Sequence, residues 1–72
     1  MRYQGQISEW NDERGFGFIR PDDAREDVFF HRSALVGVAM DQLRQGDHVT
    51  YTAEHDPRGK GMRATVVRLA RE

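Results

Sequence analysis

The chain has 72 residues, no cysteine and a charged fraction of 32%, which makes it one small domain with a thin core. The lack of cysteine excludes disulfide staples and thiolate metal sites, and no apolar run approaches the roughly 20 residues of a membrane span or forms a signal-peptide core at the N-terminus. Eleven basic residues against twelve acidic ones leave a net charge of −1, which counts against holding duplex DNA through bulk charge but leaves room for a basic cluster on one face.

In chain order, residues 2–10 read as a first strand, because Gly5 argues against a helix and the large apolar groups Tyr3, Ile7 and Trp10 fit no helical stripe. Alternation from an inward Ile7 sets Ser8 and Trp10 outward and Glu9 inward. A buried carboxylate is costly, so a bulge, a twist or an edge position is expected near Glu9. Asn11–Gly15 is a polar turn. A second strand runs from about Arg14 to Arg20 and ends at Pro21. After a charged loop, Asp27–His31 forms a third strand with Val28 and Phe30 on one face and Phe29 and His31 on the other. Ser33 caps a short helical turn. The stretch from Val36 to Gly46 is mixed, its end reading as a loop or single helical turn closed by glycine. A fourth strand covers 48–54 with Val49, Tyr51 and Ala53 on one face. Residues 56–61 form a turn, and a fifth strand runs from about Arg63 to Leu69 with Ala64 and Val66 in the core. Five short strands with almost no helix imply an all-β, five-stranded antiparallel barrel, since closure removes exposed edges.

The stretch Arg14-Gly15-Phe16-Gly17-Phe18-Ile19 dominates the functional reading. Extended, it places Phe16 and Phe18 on one face and Ile19 on the other. An isolated Phe-Gly-Phe is by default core. Here Ile7, Ile19, Val28, Phe30, Val49, Tyr51, Ala64 and Val66 fill the barrel without those rings. Phe16, Phe18, Phe29 and His31 are therefore expected to form an exposed aromatic face suited to stacking on bases. Basic residues concentrate late, in Arg58, Lys60, Arg63, Arg68 and Arg71. Arg58, Lys60 and Arg63 either meet phosphates or keep an exposed hairpin soluble. His31, His48 and His55 are widely spaced, so no metal site or other cofactor is expected. No nucleophile–base–acid constellation supports an enzyme.

Gly5-x-Ile7, Trp10–Ile19, Pro21, Asp27–His31, Ser33-Ala34-Leu35 and Leu43-x-x-Gly46 together resemble a cold-shock domain, in the family's order and over nearly the whole chain. Arg-Gly-Phe-Gly-Phe-Ile and Val-Phe-Phe-His resemble the family's two ribonucleoprotein motifs. The resemblance implies an oligonucleotide-binding-type barrel, cytoplasmic, that takes single-stranded RNA or DNA on strands one to three, tolerates most sequences with a lean to pyrimidines, and acts in an RNA-chaperone-like or regulatory role. It implies stacking by Phe16, Phe18, Phe29 and His31, with Arg14 and Arg58 as basic contacts and Asp27 contacting a base edge.

The chain departs from the family pattern in three places. Where the family has Trp-Phe, this chain has Glu9-Trp10; Trp10 is expected to take over stacking, while Glu9 repels phosphate. Arg32 replaces an aromatic, and its guanidinium both stacks and attracts phosphate. Met40 replaces another aromatic and offers no π-face. Two weakened platforms lower affinity by roughly one to three orders of magnitude, at about 1–3 kcal/mol per stacking contact. The rival readings are a protein-interaction or homodimerisation module built on the same patch, and an N-terminal domain of a larger membrane protein. A monomer or weak homodimer without membrane contact by this segment is expected.

Overall fold

The structure is a computed structural model that describes residues 2–23, 26–57 and 61–70, with Met40 described by its backbone alone. Five strands, β1 (Tyr3–Asn11), β2 (Phe16–Pro21), β3 (Val28–His31), β4 (His48–His55) and β5 (Met62–Leu69), close into a barrel in the order β1-β2-β3-β5-β4. Neighbouring pairs are antiparallel except β3 with β5, which meet in parallel at Phe29 and Arg63 and complete the closure. Two short 3-10 turns, Arg32–Ala34 and Met40–Gln42, lie between β3 and β4. The first is capped by His31 rather than Ser33: the imidazole Nδ1 accepts from the Ser33 amide at 3.2 Å.

Period-two alternation sorts most side chains as the sequence implies. Ile7, Ile19, Val28, Phe30, Val49, Tyr51 and Ala64 are buried. Full burial of Phe30 alone is worth about 1.5–3 kcal/mol. Two bulges interrupt the alternation. In β1, Ile7 pairs with Ile19 but Glu9 pairs with Phe18, so Ser8 is the extra residue. The bulge anticipated near Glu9 is present and turns that carboxylate outward, where it is exposed. In β5, Val66 pairs with Thr52 and Ala64 with Ala53, leaving Thr65 unpaired. That extra residue moves the inward position one place along. Val67, not Val66, is fully buried, which corrects the expected core. Thr65 hydrogen-bonds instead across the bulge, its hydroxyl 2.7 Å from that of Thr52. Ala34 and Leu43, from the irregular connection, complete the core.

Candidate nucleic-acid interface

The outer face of β2 and β3 is built by direct cross-strand pairing. Phe16 stands opposite His31 and Phe18 opposite Phe29. The three phenylalanine rings form one cluster with centroids 5.8–6.3 Å apart, two of the contacts being edge-to-face. Such geometry is favoured by the ring quadrupoles. Each ring is half-buried, so each keeps part of its surface in solvent while its neighbours hold it in place. His31 is exposed, and its Nδ1 also lies 3.1 Å from Ser33 Oγ. Because Nδ1 accepts from the Ser33 amide, the proton of the neutral ring sits on Nε2.

The Asn11–Gly15 turn, which carries Arg14, leads into the first strand of this cluster. Asn11 Oδ1 accepts from the amides of Glu13 and Arg14, each at 3.1 Å, and the Gly15 amide donates to the Asn11 carbonyl at 2.8 Å. Gly15 has φ 75°, which glycine adopts readily. A Cβ there would lie 2.9 Å from Arg32 Cδ, so the stem of Arg32 rests over the turn. Both Arg14 and Arg32 are exposed. Asp27 is held from two sides. Its Oδ1 accepts from Arg20 Nε at 3.2 Å, and its Oδ2 lies 3.0 Å from the hydroxyl of Ser8, the bulge residue. That hydroxyl is also 3.2 Å from the Phe18 carbonyl, so its single proton serves one acceptor at a time. Arg20 meets Asp27 by continuing the β2–β3 register, whereas the Ser8 partnership is not disclosed by the sequence because it depends on the bulge.

Trp10 does not join the outer face, which corrects the expected outward position. The Ser8 bulge reverses the alternation beyond it, so Trp10 pairs with Gly17 and stacks on Phe30 with ring planes 4° apart and centroids at 5.5 Å. It packs half-buried against the core, and its Nε1 is buried without a hydrogen-bond partner among the described residues. Gly17 makes this possible, since a Cβ there would sit 2.5 Å from the Glu9 carbonyl and 2.9 Å from the indole. Glu9 takes the outward place, opposite Phe18. Met40 lies in the second 3-10 turn, and Arg58 and Lys60 lie outside the described residues.

Two open hollows flank the cluster. One, of about 780 Å³, runs between β3, the first 3-10 turn and β5, and is lined by Phe29, His31, Ser33, Asp56, Arg63 and Thr65. Arg63 also donates to Glu54 at 2.9 Å. The other, of about 450 Å³, lies on the β1 side and is lined by Glu9, Trp10, Asp12, Glu13 and Phe16. Among the described residues, no group of histidines and carboxylates could hold a metal ion, and no helix is long and apolar enough to cross a membrane.

An outward aromatic cluster on β2 and β3 of a five-stranded barrel is the arrangement implied by the two ribonucleoprotein-like motifs. The family model described as the 'Cold-shock' DNA-binding domain matches residues 3–70. The chain belongs to the cold-shock domain family. It is 40% identical over 65 residues to a protein named "Probable cold shock protein A" from Mycobacterium tuberculosis, covering 90% of this chain and 94% of that one. It is 39% identical over 66 residues to cold shock protein CspA of Rhizobium meliloti, covering 92% and 96% of the two chains. Among solved structures, a chain described as Drosophila Unr CSD456 superposes with a TM-score of 0.81 at 22% identity, covering 99% of this cold-shock domain and 27% of the longer chain. That likeness concerns the barrel fold.

Proposed function

We propose that this cold-shock domain binds single-stranded RNA or DNA by stacking bases on Phe16, Phe18 and Phe29, with Arg14, Arg32 and Arg63 meeting phosphates. The observation that carries this reading is the three-ring cluster. Its members stay half-exposed on the outer face although the barrel core is filled by other side chains. Large rings kept partly in solvent expose apolar surface, and bases offer π-faces that cover it. His31, beside Phe16, extends the platform, and Asp27 offers acceptor oxygens to a base edge. Arg58 and Lys60 add cations and Met40 adds apolar surface to this reading. Such a binder favours unpaired strands over weak hairpins, which is chaperone activity without a catalytic step. It does so as a monomer or weak homodimer in the cytoplasm.

Anisotropy titrations of labelled U-rich RNA and oligo-dT at low salt test this reading. Saturable binding is expected with both. Phe18→Ala and Phe29→Ala each weaken it by about 1–3 kcal/mol with the barrel still folded. No binding at tens of micromolar protein would overturn the nucleic-acid reading, and a concentration-dependent dimer that buries Phe16 and Phe18 would put self-association in its place.

A further inference from the structure

Glu9 and Phe18 are direct cross-strand neighbours on the outer face. Cβ atoms of such a pair stand about 4.5–5.5 Å apart, so a carboxylate reaches the rim of anything stacked on the ring. Glu9 is exposed, and its carboxylate has no hydrogen-bond or ion-pair partner among the described residues. On the opposite side, Phe18 is faced by Phe29.

Charge is distributed unevenly about this pair. Glu9, Asp12 and Glu13 line the hollow on the β1 side. His31 and Arg63 line the groove on the β3–β5 side, with Arg32 following β3, although Asp56 also lines that groove and Glu54 holds one nitrogen of Arg63. Arg14, in the same turn as Asp12 and Glu13, offsets one of the three negative charges on the first flank, whereas on the second Arg32 and Arg63 balance Asp56 and Glu54, so a phosphodiester is disfavoured more on the first flank than on the second. A base on Phe18 therefore has its backbone toward β3 and its far edge toward β1, where Glu9 stands.

We propose that Glu9 reads the Watson–Crick edge of the base stacked on Phe18 and selects guanine over uracil or thymine at that one position. The selection rests on the stacking face proposed above and adds base specificity to it. A carboxylate only accepts hydrogen bonds. Guanine presents N1–H and N2–H side by side, two parallel donors for its two oxygens. Cytosine and adenine present one amino group beside a ring acceptor. Uracil and thymine present N3–H between two carbonyls, which repel the second carboxylate oxygen. The order at this position is guanine first, then cytosine and adenine, then uracil and thymine.

The test compares an all-uridine hexanucleotide with strands carrying one guanosine at successive positions, by fluorescence anisotropy. In the wild type, guanosine at one position tightens binding about tenfold, within the range of a good bidentate pair. Glu9→Gln replaces two acceptors with a donor and an acceptor, a pattern that matches uracil, so the guanosine advantage falls to about threefold or less and all-uridine binding strengthens. Glu9→Ala removes the advantage with no new partner. The proposal is overturned if no guanosine position gains in the wild type, or if the gain persists undiminished in both variants, while all-uridine binding shows the stacking face intact. Failure of every strand to bind any of the proteins overturns the stacking face and this selection together.

Discussion

Phe30 and Phe29 are adjacent in sequence and alike in chemistry, yet one is fully buried and the other half-exposed. Their separation follows from strand geometry alone, which sends neighbours to opposite faces. Tyr51 shows a different compromise between burial and chemistry. It sits in the core with its ring 5.6 Å from that of Tyr3, which is partly exposed. Burial first, then the negative charge of Asp23, the neighbouring Tyr3 and the negative charge of Asp22, raise the Tyr51 pKa above its ordinary value of 10.0. The folded protein therefore keeps this proton over a range where the unfolded chain gives it up. Its contribution to stability is complete below about pH 10 and is lost as pH rises through the elevated folded value. Urea midpoints at about pH 9 and pH 11 should fall across that interval, and the fall should be smaller in Tyr51→Phe. An equal fall in the variant would assign the alkaline loss to other groups.

At the scale of the strand, one inserted residue decides what β1 offers. The Ser8 bulge turns Glu9 outward opposite Phe18 and lays Trp10 on Phe30. Gly17 is the counterpart of that decision, because the indole and the Phe30 ring occupy the space its Cβ would need. Gly17→Ala should thus destabilise the barrel by about 1–3 kcal/mol through overpacking. Trp10 is the one tryptophan, so its emission during urea unfolding measures the change directly. A midpoint unchanged from wild type would show that the stack yields without cost. These local geometries mark the limit of reading the sequence. Ile19, Val28 and Phe30 inward with Phe16, Phe18 and Phe29 outward were legible from period two. A misplaced carboxylate at Glu9 even signalled a bulge. Nothing comparable marked Thr65, a β-former that fits either face, so Val66 took the place of Val67 in the expected core. Ala34 and Leu43 lie in irregular connections where no period operates. Trp10 followed the alternation past a bulge whose position was not determined.

At the scale of the whole molecule, a net charge of −1 conceals a division across the aromatic face. Glu9, Asp12 and Glu13 edge the β1 side, while Arg14 lies in the turn before β2, Arg32 follows β3 with its stem over Gly15, and Arg63 lies in the β3–β5 groove. A single strand that follows the basic side releases few counterions, since these cations are few and Arg63 is shared with Glu54. The slope of log affinity against log salt is about −0.7 for each phosphate neutralised on a single strand. Three cations at the face therefore predict a slope of about −2, steeper by the contribution of Arg58 and Lys60 where these reach the strand. Arg32→Ala should flatten the slope by about 0.7 and weaken all sequences alike, because a phosphate contact carries no base information. Phe18→Ala should lower affinity at every salt concentration and leave the slope unchanged, since stacking displaces no ions. The two variants thus separate the electrostatic part of binding from the aromatic part. A slope near zero in the wild type, with the Phe18→Ala loss intact, would leave stacking as the whole of the attraction. A slope much steeper than these cations allow would place the strand across another face of the barrel.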